Sequence, residues 1–368
     1  MQSRFRLKEK HLILISSVIL ALIGIVMIYS ASSYSAEKEF GDSFFYVKKQ
    51  AVAFVAGVVF MALGCKLKIE WLKKLKWFIL AFSVVLLALV FIPGLGVESY
   101  GATRWLNLGF TTIQPSELSK FGLMVFLAGY MSEYPPDKTK RLIVPVLSAG
   151  AVCALIMFEP NMSITMCVGM AFVILVYVAG LPGKKLAVIL ILLAIAIPTL
   201  IVLEPYRVKR FFAFIDPWQN PKDEGYQLIQ SYYALGNGGL FGVGLFASRQ
   251  KYLFLPFAES DFIFSVIGEE TGLIGCCAVI AVFAVLITSG IRTALNADSK
   301  YKCLLATGLT GIIALQTIIN LTVVTGMIPP TGVPLPYVSA GGTSLVTFMF
   351  VSGLLYNLSD VTNRSKLP

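Results

Sequence analysis

The chain has 368 residues, a mean hydropathy of +0.80, 57% hydrophobic residues and only 14% charged residues. Soluble domains carry about 25% charged residues, so a disordered chain is excluded and a polytopic membrane protein is favoured over a water-soluble fold. The net charge of +10 reads first as topology bias rather than nucleic-acid affinity, and six dispersed cysteines with one histidine exclude a disulfide framework and a multi-histidine metal site.

A spanning helix needs about 20 mostly apolar residues. Ten segments meet that pattern: 11–31, 49–65, 75–93, 115–131, 141–158, 161–180, 185–204, 261–291, 303–328 and 338–358. The expected fold is an all-α polytopic membrane protein, a single transmembrane domain over 1–368. The first segment follows Arg4, Arg6, Lys8 and Lys10. Its apolar run is too long for a signal-peptide core, so an uncleaved first helix is expected. Most of the 30 Lys and Arg residues fall on the N-terminus, alternate loops and the C-terminal Arg364 and Lys366. That bias places both termini in the cytoplasm. Residues 205–260, between helices seven and eight, then form a large external loop. The eighth segment would reach about 46 Å as a continuous helix, which exceeds the roughly 30 Å hydrocarbon core. It should tilt or project outward.

Charges within spans are functional suspects. The fourth helix opens on Gln114, Pro115, Ser116 and Glu117, with Lys120 three residues on. Glu117 and Lys120 share one helix face. They read either as a local ion pair with Lys120 snorkelling outward, or as a fixed cation suited to a phosphate or a catalytic carboxylate. The eighth opens near Asp261, which alone would read as a helix cap. Glu269 and Glu270 point to other faces and are expected to bond between helices, to Arg, Lys or backbone. The glycines from 236 to 244 suggest turns and close backbone approach, because no strand precedes them as a nucleotide loop requires. Residues 226–235 read as an amphipathic stretch at the interface. Arg249 and Lys251 could contact solvent, lipid headgroups or substrate. Residues 339–344, including Thr343 and Ser344, suggest close helix packing, and Gln316 and Asn320 suggest polar bonding inside the bundle.

In order, these stretches resemble one family: Arg104-Trp105, Gln114 to Glu117 with Lys120, Glu159-Pro160, Gly225-Tyr226-Gln227, Gly238 to Gly244, Ser248 to Lys251, Asp261 to Phe264, Glu269-Glu270, and Thr331 to Pro336 with Gly341 to Ser344. The set resembles the SEDS proteins (shape, elongation, division and sporulation), closest to the FtsW/SpoVE branch. The resemblance implies an inverting glycosyltransferase that polymerises lipid II into peptidoglycan strands at the outer face of the bacterial cytoplasmic membrane, at the septum, in division or sporulation. It implies work beside a class B penicillin-binding protein and other division or sporulation membrane proteins. It makes Asp261 the essential carboxylate and general base, with Glu117 and Lys120 near it as catalytic partners. Gln114, Ser116, Arg249, Gln250, Lys251, Thr343 and Ser344 become substrate contacts. Arg104, Lys120, Arg249 and Lys251 become cations for the diphosphate, and a divalent ion (Mg2+ or Mn2+) there is compatible. No cofactor and no nucleic acid are implied; membrane lipids are. The chain departs from the pattern at Asn161, Phe246, Phe257 and Ala340. Two other readings stay open: a lipid II flippase, and a scaffold that only recruits the penicillin-binding protein.

Overall fold

The computed structural model describes residues 2–99, 102–109 and 111–359. Arg364 and Lys366 lie outside the described residues, as do the side chains of Arg4, Arg6 and Lys8. Thirteen α-helices follow in order: α1 (Gln2–Phe40), α2 (Phe45–Lys66), α3 (Ile69–Lys74), α4 (Lys76–Leu89), α5 (Pro115–Glu133), α6 (Thr139–Phe158), α7 (Met162–Val178), α8 (Gly183–Val202), α9 (Pro205–Ile215), α10 (Tyr226–Gly238), α11 (Ile263–Leu295), α12 (Lys300–Val324) and α13 (Gly342–Leu358). Each of the ten apolar segments falls on a helix of this series. Among the described residues, six helices (α1, α2, α6, α8, α11 and α12) are long and apolar enough to cross a membrane, and α4, α7 and α13 are shorter apolar helices. The protein is a mostly helical, multi-pass membrane protein.

Three features differ from the all-helical expectation. Residues 94–114 contain a small antiparallel sheet, β1 (Gly96–Ser99), β2 (Ala102–Asn107) and β3 (Thr112–Ile113), with Val97 opposite Trp105 and Leu106 opposite Ile113. The 205–260 stretch is not a simple loop, because it holds α9 and α10. Helix α10 is built into the bundle: Leu228, Ile229, Ser231 and Ala234 are buried, and Ser231 Oγ donates to Val324 O at 2.7 Å. Its amphipathicity answers to protein on one side, not to a lipid surface alone. The third feature is α11, which breaks at Gly272 (φ 66°, ψ −166°). A continuous rod is thereby avoided, and its first turns form a separate short helix.

Close approach explains the glycines. A Cβ on Gly238 would stand 2.0 Å from Gly268 O, and one on Gly242 2.1 Å from Glu270 O. The glycine segment is therefore packed against the α11 break, as turns with touching backbones require. Elsewhere α2 and α13 meet through Gly64 and Gly353, where Cβ atoms would lie 2.7 Å from Phe350 O and 2.1 Å from Met61 O. In lipid, small residues of this kind let helices approach closely.

Hydrogen bonds gather the connections at one end of the bundle. Arg104 of β2 reaches the α6–α7 turn, Arg210 of α9 reaches Pro330, Ser163 of α7 reaches Thr331, and Gln114 reaches Thr343. At the far end Lys73 and Lys76 both pair with Glu133, at 3.5 and 2.6 Å.

Candidate active site

Asp261 precedes α11 by two residues. Its main-chain carbonyl accepts from Asn320 Nδ2 at 2.8 Å, and Asn320 also donates to Val333 O at 2.7 Å. The main chain at Asp261 is thus anchored to α12 and, through Asn320, to the 331–336 segment. Gly332 (φ 60°) passes so close that a Cβ there would be 3.2 Å from Asp261 Oδ2. Among the described residues no hydrogen bond or ion pair engages the carboxylate. Burial pushes it up to about 6, against the charges of Arg104 and Arg210, while Glu259 pushes the same way as burial. An ionisable group left unengaged beside two guanidinium groups suits proton abstraction.

Glu117 and Lys120 are 1% and 0% exposed. Lys120 Nζ donates to Glu117 Oε1 at 2.8 Å and to Gln316 Oε1 at 2.6 Å. The local ion pair is present, but Lys120 does not snorkel: it is fully buried, with Nζ over the Phe348 ring at 4.7 Å from its centroid. Gln316 and Asn320 are four residues apart on α12, about one turn. One holds Lys120 and the other holds Asp261, so α12 couples the two motifs. Gln316 Nε2 also donates to Pro334 O at 3.0 Å. Glu117 Oε2 and Ser116 Oγ are buried without partners.

Gln114 N donates to Thr343 Oγ1 at 3.3 Å, which brings two expected substrate contacts together. Ser344 lies beside Gly341, half-buried. The 339–344 stretch does more than pack helices. Ser339 Oγ donates to Ser260 O at 2.6 Å, and Ala340 N donates to Glu259 O at 2.9 Å. It ties the start of α13 to the Asp261 segment.

Among the described residues no hydrogen bond joins Arg249, Gln250 or Lys251 to this cluster. Their loop is clamped by the buried Glu269 and Glu270 carboxylates, which take backbone donors as expected. Arg249 N and Gln250 N donate to Glu269 at 3.2 and 3.3 Å, and Phe246 N and Ser248 N donate to Glu270 at 3.0 and 3.2 Å. Ser248 Oγ bonds to Glu269 and Ser30 Oγ to Glu270. Lys251 Nζ donates to Phe246 O and lines a cavity of about 390 Å³ with Ser33, Tyr34, Glu37, Ser43 and Tyr252. The cations acting on Asp261 are Arg104 and Arg210; Arg249 and Lys251 are not among them.

Two contributors escaped the sequence reading. Arg210 stands in none of the motifs, and nothing in its spacing marks its action on Asp261. Glu159 stood in a motif without a role. Arg104 Nε donates to Glu159 O at 3.0 Å and Nη2 to Pro160 O at 2.6 Å, while the Glu159 carboxyl is 0% exposed with both oxygens unpartnered. Among the described residues no three His, Cys, Asp or Glu side chains converge as metal ligands.

A family of cell cycle proteins, that of FtsW, RodA and SpoVE, matches residues 10–364. Stage V sporulation protein E of Bacillus subtilis is 38% identical over 354 residues, covering 95% of this chain and 96% of that one. A probable peptidoglycan glycosyltransferase FtsW of Geobacter sp. is 37% identical over 357 residues, with the same coverage. Among solved structures, a peptidoglycan synthase complex that coordinates polymerization and crosslinking matches with a TM-score of 0.78 and 28% identity, over 94% of this chain and 96% of that one. The crystal structure of the rod shape determining protein RodA of Thermus thermophilus matches with a TM-score of 0.70 and 25% identity, over 94% and 95% of the two chains. With its motifs, fold and length in agreement, the chain belongs to the FtsW/RodA/SpoVE family.

Proposed function

We propose that the protein is a peptidoglycan glycosyltransferase that polymerises lipid II at the outer face of the bacterial cytoplasmic membrane. The observation that carries the reading is Asp261: an unengaged carboxylate beside Arg104 and Arg210, with its backbone fixed by Asn320. A sugar hydroxyl must attack the anomeric carbon of a lipid-linked disaccharide, invert it and expel a lipid diphosphate. Asp261 takes the hydroxyl proton as general base. The guanidinium groups meet the charge that develops on the departing diphosphate. Glu117, Lys120, Gln114, Ser116 and Thr343 support the wall of the site, with Ser344 beside them. Gln250 and the loop cations Arg249 and Lys251 serve substrate parts farther from the reacting carbon. A divalent ion, Mg2+ or Mn2+, is compatible with this reading as a companion of the diphosphate oxygens; among the described residues no three His, Cys, Asp or Glu side chains converge as its ligands.

Ten spans with both termini in the cytoplasm complete the proposal. They put the sheet, the α9–α10 region and the 331–344 segment outside. The cell cycle family and the sporulation relative support a role in division or sporulation, for which the septum is the proposed place, and the peptidoglycan synthase complex supports a class B penicillin-binding protein as partner. The test is purified protein in detergent micelles with labelled lipid II, with and without a cognate partner lacking its own transglycosylase. Glycan polymer on a gel is expected. Inert micelles combined with Asp261-dependent movement of lipid II across liposomes would instead identify a flippase. Polymer that needs the partner but ignores Asp261 would identify a scaffold.

A further inference from the structure

Glu159 presents a physical problem that the proposed reaction does not use. Its carboxyl is fully buried in the α6–α7 turn, and among the described residues neither Oε1 nor Oε2 has a hydrogen-bond partner. A desolvated carboxylate without a partner is strongly disfavoured against its neutral form. The nearby Arg104 directs Nε and Nη2 to main-chain carbonyls of residues 159 and 160, not to the carboxyl. Burial pushes the group up to about 8 in spite of that cation. Burial therefore favours the neutral acid at neutral pH, and among the described residues its O–H has no acceptor.

The cation acting on it, Arg104, is linked in turn to a second, Arg210. Arg104 and Arg210 act on each other as like charges, each anchored on a backbone carbonyl, and neither forms an ion pair among the described residues. Arg104 is the charge acting on Glu159, and Asp261, Arg210 and Tyr206 act in turn on Arg104. Thr331 Oγ1 is also buried and unpartnered, on a residue whose carbonyl is held by Ser163. Two cations, a neutral acid and a hydroxyl suit a multiply charged oxyanion.

We propose that Glu159, with Arg104 and Arg210, forms the subsite for the diphosphate of the lipid-linked substrate, where Glu159 donates a hydrogen bond to a phosphate oxygen as a neutral acid. The proposal rests on the glycosyltransferase reading. Glu159 keeps its proton throughout. The hydroxyl proton goes to Asp261, the electron pair of the breaking C–O bond goes to the diphosphate, and the added charge is met by the Glu159 O–H and the guanidinium groups. An ionised Glu159 would repel the same ligand.

The experiment measures binding of undecaprenyl diphosphate to the protein in detergent, with undecaprenyl monophosphate for comparison. Glu159→Gln keeps a neutral donor and should bind as the wild type does. Glu159→Met should bind about 10- to 100-fold more weakly. Wild-type affinity should fall above pH about 8, and that of Glu159→Gln should not. If Glu159→Met does not fold, the pH comparison between wild type and Glu159→Gln decides alone. Wild-type binding by Glu159→Met, equal weakening in Glu159→Gln and Glu159→Met, or parallel pH profiles would each overturn the subsite. Asp261→Asn should bind normally yet make no polymer. A wild type with Glu159-dependent binding and no polymer would sink the glycosyltransferase reading and leave the subsite standing.

Discussion

At Asp261 the sign of the pH effect follows from the role. A general base works only when deprotonated, and burial raises this carboxyl to about 6. Polymerisation rate should therefore be level above that pH and fall about tenfold per unit below it. A profile that stays flat to pH 4.5 would contradict the assignment. Asp261→Asn should remain folded and lose polymerisation, because an amide cannot take the proton; near-normal polymer from that variant would restore the helix-cap reading. Lys120 tests a different term. Removing it in Lys120→Ala leaves Glu117 buried without its cation, a loss of about 3–5 kcal/mol. Lys184→Ala, at an exposed position, should stay within about 0.5 kcal/mol. Thermal unfolding in detergent separates the two, and equal effects would mean that the buried pair contributes nothing. Asp261, Glu117, Lys120 and Arg104 were legible in the sequence because each stands in a motif of several residues. Gln316 and Asn320 read only as polar residues in a helix. Their functional placement depends on which chain segments fold against α12, and that is not encoded locally.

Among the elements, the α11 break organises one wall of the molecule. Gly272 turns the chain, Gly238 and Gly242 press against it, and Glu269 and Glu270 hold the 246–250 loop. Gly238→Ala would drive a Cβ to 2.0 Å from the Gly268 carbonyl. Backbone on both sides cannot yield as a side chain can, so a destabilisation of about 1–3 kcal/mol or more is expected. Gly236→Ala meets nothing within 4 Å and serves as the neutral control. Indistinguishable melting temperatures for the two would show that the break tolerates separation. Hydropathy located the apolar segments well, since length and composition decide them. It missed the break, because a glycine inside an apolar run looks the same whether helical or not. It missed the sheet as well: β1 and β3 have 4 and 2 residues, too short for a period to register. For α10 the amphipathic pattern was read correctly, but it cannot say whether lipid or protein covers the apolar face.

For the whole molecule, everything proposed for the chemistry lies at one end of the bundle, and sidedness is the decisive property. Lys and Arg favour the segments opposite that end, and positive charge marks the cytoplasmic side. The proposed topology puts the bonds that join Arg104, Glu159, Arg210, Pro330, Asn320 and Asp261 on the outer side, which is open to test. Two exposed lysines report on the two ends: Lys222 beyond α9 and Lys140 at the start of α6. In a variant stripped of its six native cysteines, Lys222→Cys should react in intact cells with a membrane-impermeant maleimide. Lys140→Cys should react only after permeabilisation. The opposite pattern would turn Asp261 toward the cytoplasm, and an enzyme that builds glycan at the outer face could not use it there.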